Sequence, residues 1–267
     1  MNQLIATTSR EYKLILNASR FKQREEGSKQ FWDLVEFLVQ SNHGEIETGK
    51  SSETWTTEKR TTWYLDTSTL SLKDKKFSLR VREEESGYKL TLKYRSSDQV
   101  LSAAQDVSST SEKAKSKFEE DIVPPFESKF SLSNSIEYSS LPILETISDL
   151  VAIFPSIGKL SIPDSTPIRR VNDFTVREVC LKANKRIKFT PTSAKIKACF
   201  SFWYLLGNDD EYPLISEFSF DYDIPDNISD DFQEFIEVAN LFFTNLQKFS
   251  DWLSSGNSTK TNFVFGL

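Results

Sequence analysis

The chain has 267 residues, 38% of them hydrophobic and 27% charged, with a net charge of −6. That length can bury a substantial core. The composition excludes a disordered chain, and without an apolar run of about 18 residues a membrane-spanning helix is excluded too. An acidic net charge disfavours DNA and anionic lipid as partners. With neither a basic start nor an apolar stretch in MNQLIATTSREYK, the expected compartment is the cytoplasm. Cys180 and Cys199 sit in apolar strand-like segments and read as buried thiols. One histidine, His43, in a Ser-Asn-His-Gly helix exit, leaves no Cys/His zinc spacing. It has no G-x-S-x-G elbow to serve. Any catalysis must therefore rest on carboxylates, lysines, arginines and a hard metal ion.

In chain order, the first 16 residues suggest a strand. Ser28 then caps a helix, SKQFWDLVEFLVQS, with Phe31, Leu34, Val35 and Leu38 on one face. From about residue 60 the period becomes two. RTTWYLDT, KFSLRVREE and YKLTLKYR read as strands, the last two joined at Glu85-Ser86-Gly87. Residues 96–116, rich in Ser, Ala and Lys, suggest a mobile excursion. KFEEDI is a further strand, and 141–154 a helix. FTVREVCL, KRIKFT, KIKACFSFWYL and LISEFSFDYD complete a second strand set. A C-terminal helix is expected at about 230–253, with Asp230 and Gln233 at capping-box spacing and an apolar face from Phe232 to Leu253. With no repeat and no long linker, a single domain over 1–267 is expected, of α+β class. About eight strands suffice to close a barrel.

The strands segregate charge. Arg80 and Arg82 share a face opposite Leu79 and Val81, and Lys89, Thr91 and Lys93 lie opposite Leu90 and Leu92. Glu11 aligns with Lys13, Lys117 with Glu119 and Asp121, and Glu217 with Ser219, Asp221 and Asp223. Two readings fit this pattern. The polar faces meet water on an open antiparallel sheet, or the strands close so that these faces line a channel. Such a channel would be costly to bury empty, and makes sense filled by a polyanion and Mg²⁺ or Mn²⁺.

Several motifs decide between them by resemblance. Ser9-Arg10-Glu11-Tyr12-Lys13 resembles the Glu-x-Glu-x-Lys opening strand of the triphosphate tunnel metalloenzymes (the CYTH superfamily), which includes inorganic triphosphatases, thiamine triphosphatases and class IV adenylate cyclases. Trp63–Thr67 resembles its aromatic Asp-Thr turn, Leu79-Arg80-Val81-Arg82 its Leu-Arg-x-Arg strand, and Leu90-Thr91-Leu92-Lys93 the partner strand. Lys117–Asp121, Pro167–Arg177 and Glu217–Asp221 follow in the family's order. The resemblance implies an eight-stranded antiparallel β-barrel with flanking helices, and hydrolysis of a triphosphate-bearing small molecule with Mg²⁺ or Mn²⁺. It implies Glu11, Glu119, Glu217 and Asp221 as metal ligands. Arg80, Arg82, Lys93, Lys117 and Arg177 would hold phosphate, with Lys89 and Arg60 as further candidates, and Lys13 would act beside Glu11 at the scissile group. A monomer or homodimer is expected. The chain departs from the family at Ser9 and Ser219, each in place of Glu, and Ala198–Ser201 lacks an expected acid. Loss of such groups weakens metal binding or activity. A cyclase and a binding-only module therefore stay open as alternatives.

Overall fold

The structure is a computed structural model that describes residues 6–47, 53–190, 192, 194–207, 213–256 and 259–266. Residues 1–5 of the expected opening strand lie outside the described residues, and that strand, β1, runs Ser9–Leu16. The other barrel strands are β3 (Trp55–Thr67), β4 (Phe77–Glu84), β5 (Gly87–Ser96), β6 (Lys115–Val123), β7 (Glu127–Tyr138), β8 (Ile168–Ala183), β10 (Lys195–Leu205) and β11 (Ile215–Asp223). Their order is β11-β1-β6-β7-β5-β4-β3-β8-β10, and a β10–β11 pairing closes the ring. The short strands β9 (Arg186–Phe189) and β2 (Gly44–Glu47) extend the sheet outward from β10.

The expected closed barrel is therefore present, with nine strands rather than eight. Strands alternating in direction cannot close an odd ring, so one neighbouring pair must run parallel. That pair is β1–β6, with Ser9 opposite Glu119 and Glu11 opposite Asp121. The β4–β5 hairpin turns where the sequence places it. Gly87 has φ +129°, and a Cβ there would lie 2.3 Å from the Tyr138 carbonyl oxygen.

The barrel is inside-out relative to a soluble sandwich. Its outer face is apolar and covered, and its inner face is charged. Tyr12, Leu14, Phe200, Phe202, Phe218 and Phe220 point outward into one core. Helices α1 (Arg24–Ser41) and α5 (Asp230–Leu246) cover it. A second core forms on the outer faces of β3 to β7, beneath α2 (Ser71–Asp74), α3 (Gln99–Ala103) and α4 (Ile147–Ile153). The period-two strands supply the sheet side of both cores, and the 3.6-residue periodicity of α1 and α5 supplies much of the cover. No helix of the described residues is long and apolar enough to cross a membrane.

Several boundaries differ from the sequence reading. Ser28 is buried inside α1 rather than capping it, because two acids, Glu25 and Glu26, extend the first turn toward Gln23. Ser229, not Asp230, caps α5 by accepting from the Phe232 N–H, and the helix ends at Leu246. Residues 99–103 form α3, with Ser102 and Ala103 buried, so the 96–116 segment is partly built into the core.

Phe200 is fully buried among the rings of Phe21, Phe31, Trp55, Phe202 and Phe218, at centroid distances of 5.0–6.2 Å. Phe200→Ala is expected to destabilise the fold by about 3–5 kcal/mol in urea unfolding. A loss typical of a surface substitution would place the main core elsewhere.

Candidate functional site

The inner face encloses a cavity of about 800 Å³. Among the described residues thirteen Lys and Arg side chains line it against four carboxylates, in a chain whose net charge is −6. The tunnel concentrates positive charge where the protein as a whole is acidic. Its walls follow directly from the strand pattern. In β4, Phe77, Leu79 and Val81 are buried outward and Ser78, Arg80 and Arg82 face in.

Two buried acids anchor this surplus. Glu178 on β8 accepts from Arg60 Nε at 2.6 Å, Ser201 Oγ at 2.7 Å and Thr62 Oγ1 at 3.2 Å. Arg82 Nε and Lys260 Nζ stand 3.6 and 3.5 Å away. Burial opposes ionisation of Glu178, but Arg82, Lys260 and Arg60 hold its carboxyl well below the usual range. Asp121 on β6 is bridged by Lys13 Nζ at 2.9 Å, by Arg95, and by Lys93 Nζ at 3.8 Å. Glu119 receives Lys117 Nζ at 2.7 Å. Burial opposes its ionisation too, but the lysines Lys93, Lys117 and Lys13 bring its carboxyl down to about 2.

The remaining cations outnumber these partners. Arg80 Nε and Arg82 Nε are buried without a hydrogen bond. Burial, and then the neighbouring charge of Arg80, lowers Arg82 to about 10. Lys93 is pushed well down by burial and then by Arg95. Guanidinium and ammonium groups held out of water beside like charges form a site short of anions.

One end of the tunnel carries Lys89, Lys115, Lys117 and Lys182 at the strand ends. A short C-terminal helix, α6 (Lys260–Gly266), lies across the other. Val264 and Phe265 pack there with Tyr64, Val171, Val176, Trp203 and Ile215. Asn172 Nδ2 donates to the Val264 carbonyl at 2.8 Å. This helix delivers Lys260 into the tunnel, where Nζ lies 2.7 Å from Glu217 and 2.9 Å from Ser201 Oγ.

Glu11, Lys13, Arg60, Arg80, Arg82, Lys89, Lys93, Lys117, Glu119, Glu217 and Asp221 all line this one cavity. Arg177 does not. It lies opposite Thr61 and Tyr204 on the outer face, its guanidinium 5.0 Å from the Tyr204 ring. The next residue, Glu178, takes the inward position. Asn172 and Asp173 adopt left-handed backbone (φ 54° and 49°) and interrupt the strand before it, so the phase of β8 cannot be carried across from Pro167. Sequence reasoning missed Arg95, Glu178 and Lys260, and gave Asp121 no role although it placed it on the face of Lys117 and Glu119. Arg95 and Asp121 continue the period-two faces of Lys93 and Glu119, a signal that was available. Lys260 lies beyond the last expected element and gave none.

The four acids expected to hold metal are not gathered into one group. Among the described residues no three His, Cys, Asp or Glu side chains are arranged to ligate an ion. Lys260 occupies Glu217, Lys117 occupies Glu119 and Lys13 stands 3.0 Å from Glu11. Glu11 and Asp221 are cross-strand neighbours, and burial followed by the Glu11 charge pushes Asp221 up to about 6. A carboxylate pushed up by a neighbouring carboxylate is relieved by a cation. Two carboxylates also suit Mg²⁺ or Mn²⁺, which commonly complete their octahedra with substrate phosphates and water.

Residues 32–141 match the model of the CYTH domain. That stretch, which forms part of the closed tunnel, is similar to the CYTH domain of the triphosphate tunnel metalloenzyme superfamily. That family is metal-dependent. In shape the chain is similar to a provisionally assigned adenylate cyclase from Bacillus halodurans (TM-score 0.41, 14% identity, covering 96% of this chain and 97% of that one). It is also similar to HpAC1 from Hippeastrum, a provisional adenylyl cyclase with a dominant triphosphatase activity (TM-score 0.47, 11% identity, covering 97% and 95%). A third similar structure is PH1819 from Pyrococcus horikoshii OT3 (TM-score 0.38, 11% identity, covering 97% and 98%). No curated protein matches the sequence.

Asp221 gives a pH test. Its folded value, about 6, lies above the ordinary 3.8, so the folded state holds this proton more tightly than the unfolded state. Stability from this group is present at low pH and is lost as pH rises between those two values. Asp221→Asn is therefore expected to gain in melting temperature over the wild type as pH rises from 4 to 7. A difference that stays constant across that range would show that Asp221 is not perturbed.

Proposed function

We propose that the tunnel binds a triphosphate-bearing small molecule and hydrolyses its phosphoanhydride with a divalent metal. The observation that carries this reading is the cationic surplus, above all the buried Nε groups of Arg80 and Arg82, neither of which has a hydrogen bond. Phosphate oxygens are strong acceptors that match guanidinium geometry. Three linked phosphates would spread several negative charges along the tunnel axis.

Arg60, Arg80, Arg82, Lys93 and Lys117 clamp and orient the chain of phosphates. Glu178 and Asp121 hold the cations in place before the ligand arrives, so little reorganisation accompanies binding. Lys13, between Glu11 and Asp121 at 3.0 and 2.9 Å, stabilises negative charge developing on the transferred phosphoryl group. Glu11 and Asp221 would hold Mg²⁺ or Mn²⁺, which supplies Lewis-acid neutralisation of phosphoryl charge when bound. The enclosed tunnel limits competing water.

A second reading, binding without turnover, is favoured by two observations. Ser9 and Ser219 stand where the family carries Glu, and Glu119 and Glu217 are already paired with lysines.

Purified protein incubated with tripolyphosphate, ATP or thiamine triphosphate and Mg²⁺ or Mn²⁺ separates these readings by product. Orthophosphate release that is lost in Glu11→Gln supports hydrolysis. Pyrophosphate from ATP would mean cyclisation instead. Ligand-induced thermal stabilisation without turnover would establish the receptor.

In calorimetric titration, Arg82→Ala is expected to weaken tripolyphosphate binding roughly 10–100-fold, as for loss of a charge-assisted hydrogen bond. Unchanged affinity would remove Arg82 from the phosphate site.

A further inference from the structure

The two cysteines take no part in phosphate chemistry, yet both are free and both line the ligand cavity. Cys180 on β8 lies opposite Ser201 of β10, and Cys199 on β10 lies opposite Lys182 of β8. The thiols are therefore diagonal neighbours on one inward face. The Cys199 thiol donates to the Phe200 carbonyl oxygen at 3.2 Å. Arg60 Nη2 donates to the Cys180 sulfur at 3.1 Å.

Three charged groups act on the pair. Arg60 and Lys260 favour a thiolate and Glu178 opposes it. The neighbouring Cys199 thiol, more than either cation, draws Cys180 down to about 7 against the effect of burial, while Cys199 itself is pushed up. Structural thiols buried in apolar surroundings are inert, whereas Cys180, though buried, has its sulfur beside the Arg60 guanidinium in the cavity wall, and Cys199 is partly exposed. The outward-facing side chains of both strands, Val179, Leu181, Ala198 and Phe200, belong to the core. The thiols belong to the tunnel.

We propose that Cys180 and Cys199 form an oxidisable thiol pair in the tunnel wall, the target of a peroxide small enough to enter the cavity. The Cys180 thiolate attacks one peroxide oxygen, an S–O bond forms, and the O–O bond breaks. The departing hydroxide takes up a proton and leaves as water. Cys199 then loses its proton and attacks the Cys180 sulfenic sulfur. The S–S bond forms as the S–O bond breaks, and a second water leaves. Two thiols are oxidised by two electrons in all, and one peroxide is reduced to two waters. The product is a disulfide joining β8 to β10 beside Arg60, where the phosphate clamp is anchored.

The test uses the full chain and hydrogen peroxide, with peptide mapping under non-reducing conditions. The wild type is expected to yield a Cys180–Cys199 link that dithiothreitol reverses. Cys199→Ser, which cannot resolve the sulfenic acid, is expected to trap a dimedone adduct at Cys180, and Cys180→Ser to give neither product. Unmodified Cys180 in the folded chain, alongside ready reaction in the urea-unfolded chain, would overturn the proposal. So would links formed only between separate molecules. Tripolyphosphate adds an arm that depends on the triphosphate reading. At about ten times its Kd it is expected to slow oxidation of the wild type about 10-fold, in proportion to the free fraction. Oxidation that proceeds but is not slowed would leave the thiol pair standing and count against triphosphate binding beside it.

Discussion

Positive charge held out of bulk water is the constraint on which this molecule depends. Isolated buried cations are strongly disfavoured, and here they are distributed around a ring so that a few acids serve many of them. Glu178 is shared by Arg60, Arg82 and Lys260, and Asp121 by Lys13, Lys93 and Arg95. Sharing leaves the cations oriented but incompletely neutralised. A surface lysine patch would meet an anion flexibly and be screened by salt within about 10 Å. Walls fixed by strand register hold the groups where the ligand must lie.

The rest of the architecture follows from placing those groups inside. A sheet whose inner face is charged must bury its outer face, and two helical layers do so on opposite flanks of the barrel. The outer faces are rich in aromatic residues, and many are fully buried, including Tyr12, Phe200, Phe218, Phe220 and Tyr222. Each such side chain stabilises by about 1.5–3 kcal/mol, which offsets the unfavourable interior. The third cluster, packed against α6, differs in kind, because three of its residues, Tyr64, Trp203 and Phe265, line the tunnel itself. Lys260 enters with that helix, so the closing segment also contributes to the charge balance.

Much of this was legible in the sequence because a strand writes its two faces in alternation. The pairs Arg80/Arg82, Lys89/Lys93, Lys117/Glu119 and Glu217/Asp221 all reach the cavity that their phase assigns them. Arg177 failed for a local reason. Two left-handed residues at 172–173 interrupt β8, and phase cannot be carried across such an interruption. Other failures were long-range. Lys260 arrives from a seven-residue helix that only tertiary contacts hold in place. The lysines facing Glu119 and Glu217 cannot be inferred from strand phase, which says which face a carboxylate occupies and not which cation it meets. The ninth strand, and the parallel pair it requires, depend on closure of the whole ring.

Separation of the stabilising core from the chemical interior has a consequence for how such a protein can change. In an ordinary globular enzyme, replacing a large buried side chain leaves a cavity and costs stability. Here the tunnel is already solvent-sized space, so exchanging a lining Glu for Ser removes charge without removing core packing. Ser219 is such a position. Ser9 lies on β1 with its Oγ buried and unpartnered, and Ser219 lies opposite Lys13 in the register. Their neighbours on the outer face, Tyr12, Phe218 and Phe220, keep the core whatever stands inside. Loss of two acids also shifts the interior further toward positive charge, which favours anion binding while reducing the ligands left for a metal. The charge balance of the tunnel can therefore change on a scaffold whose outward-facing core is largely indifferent to the exchange.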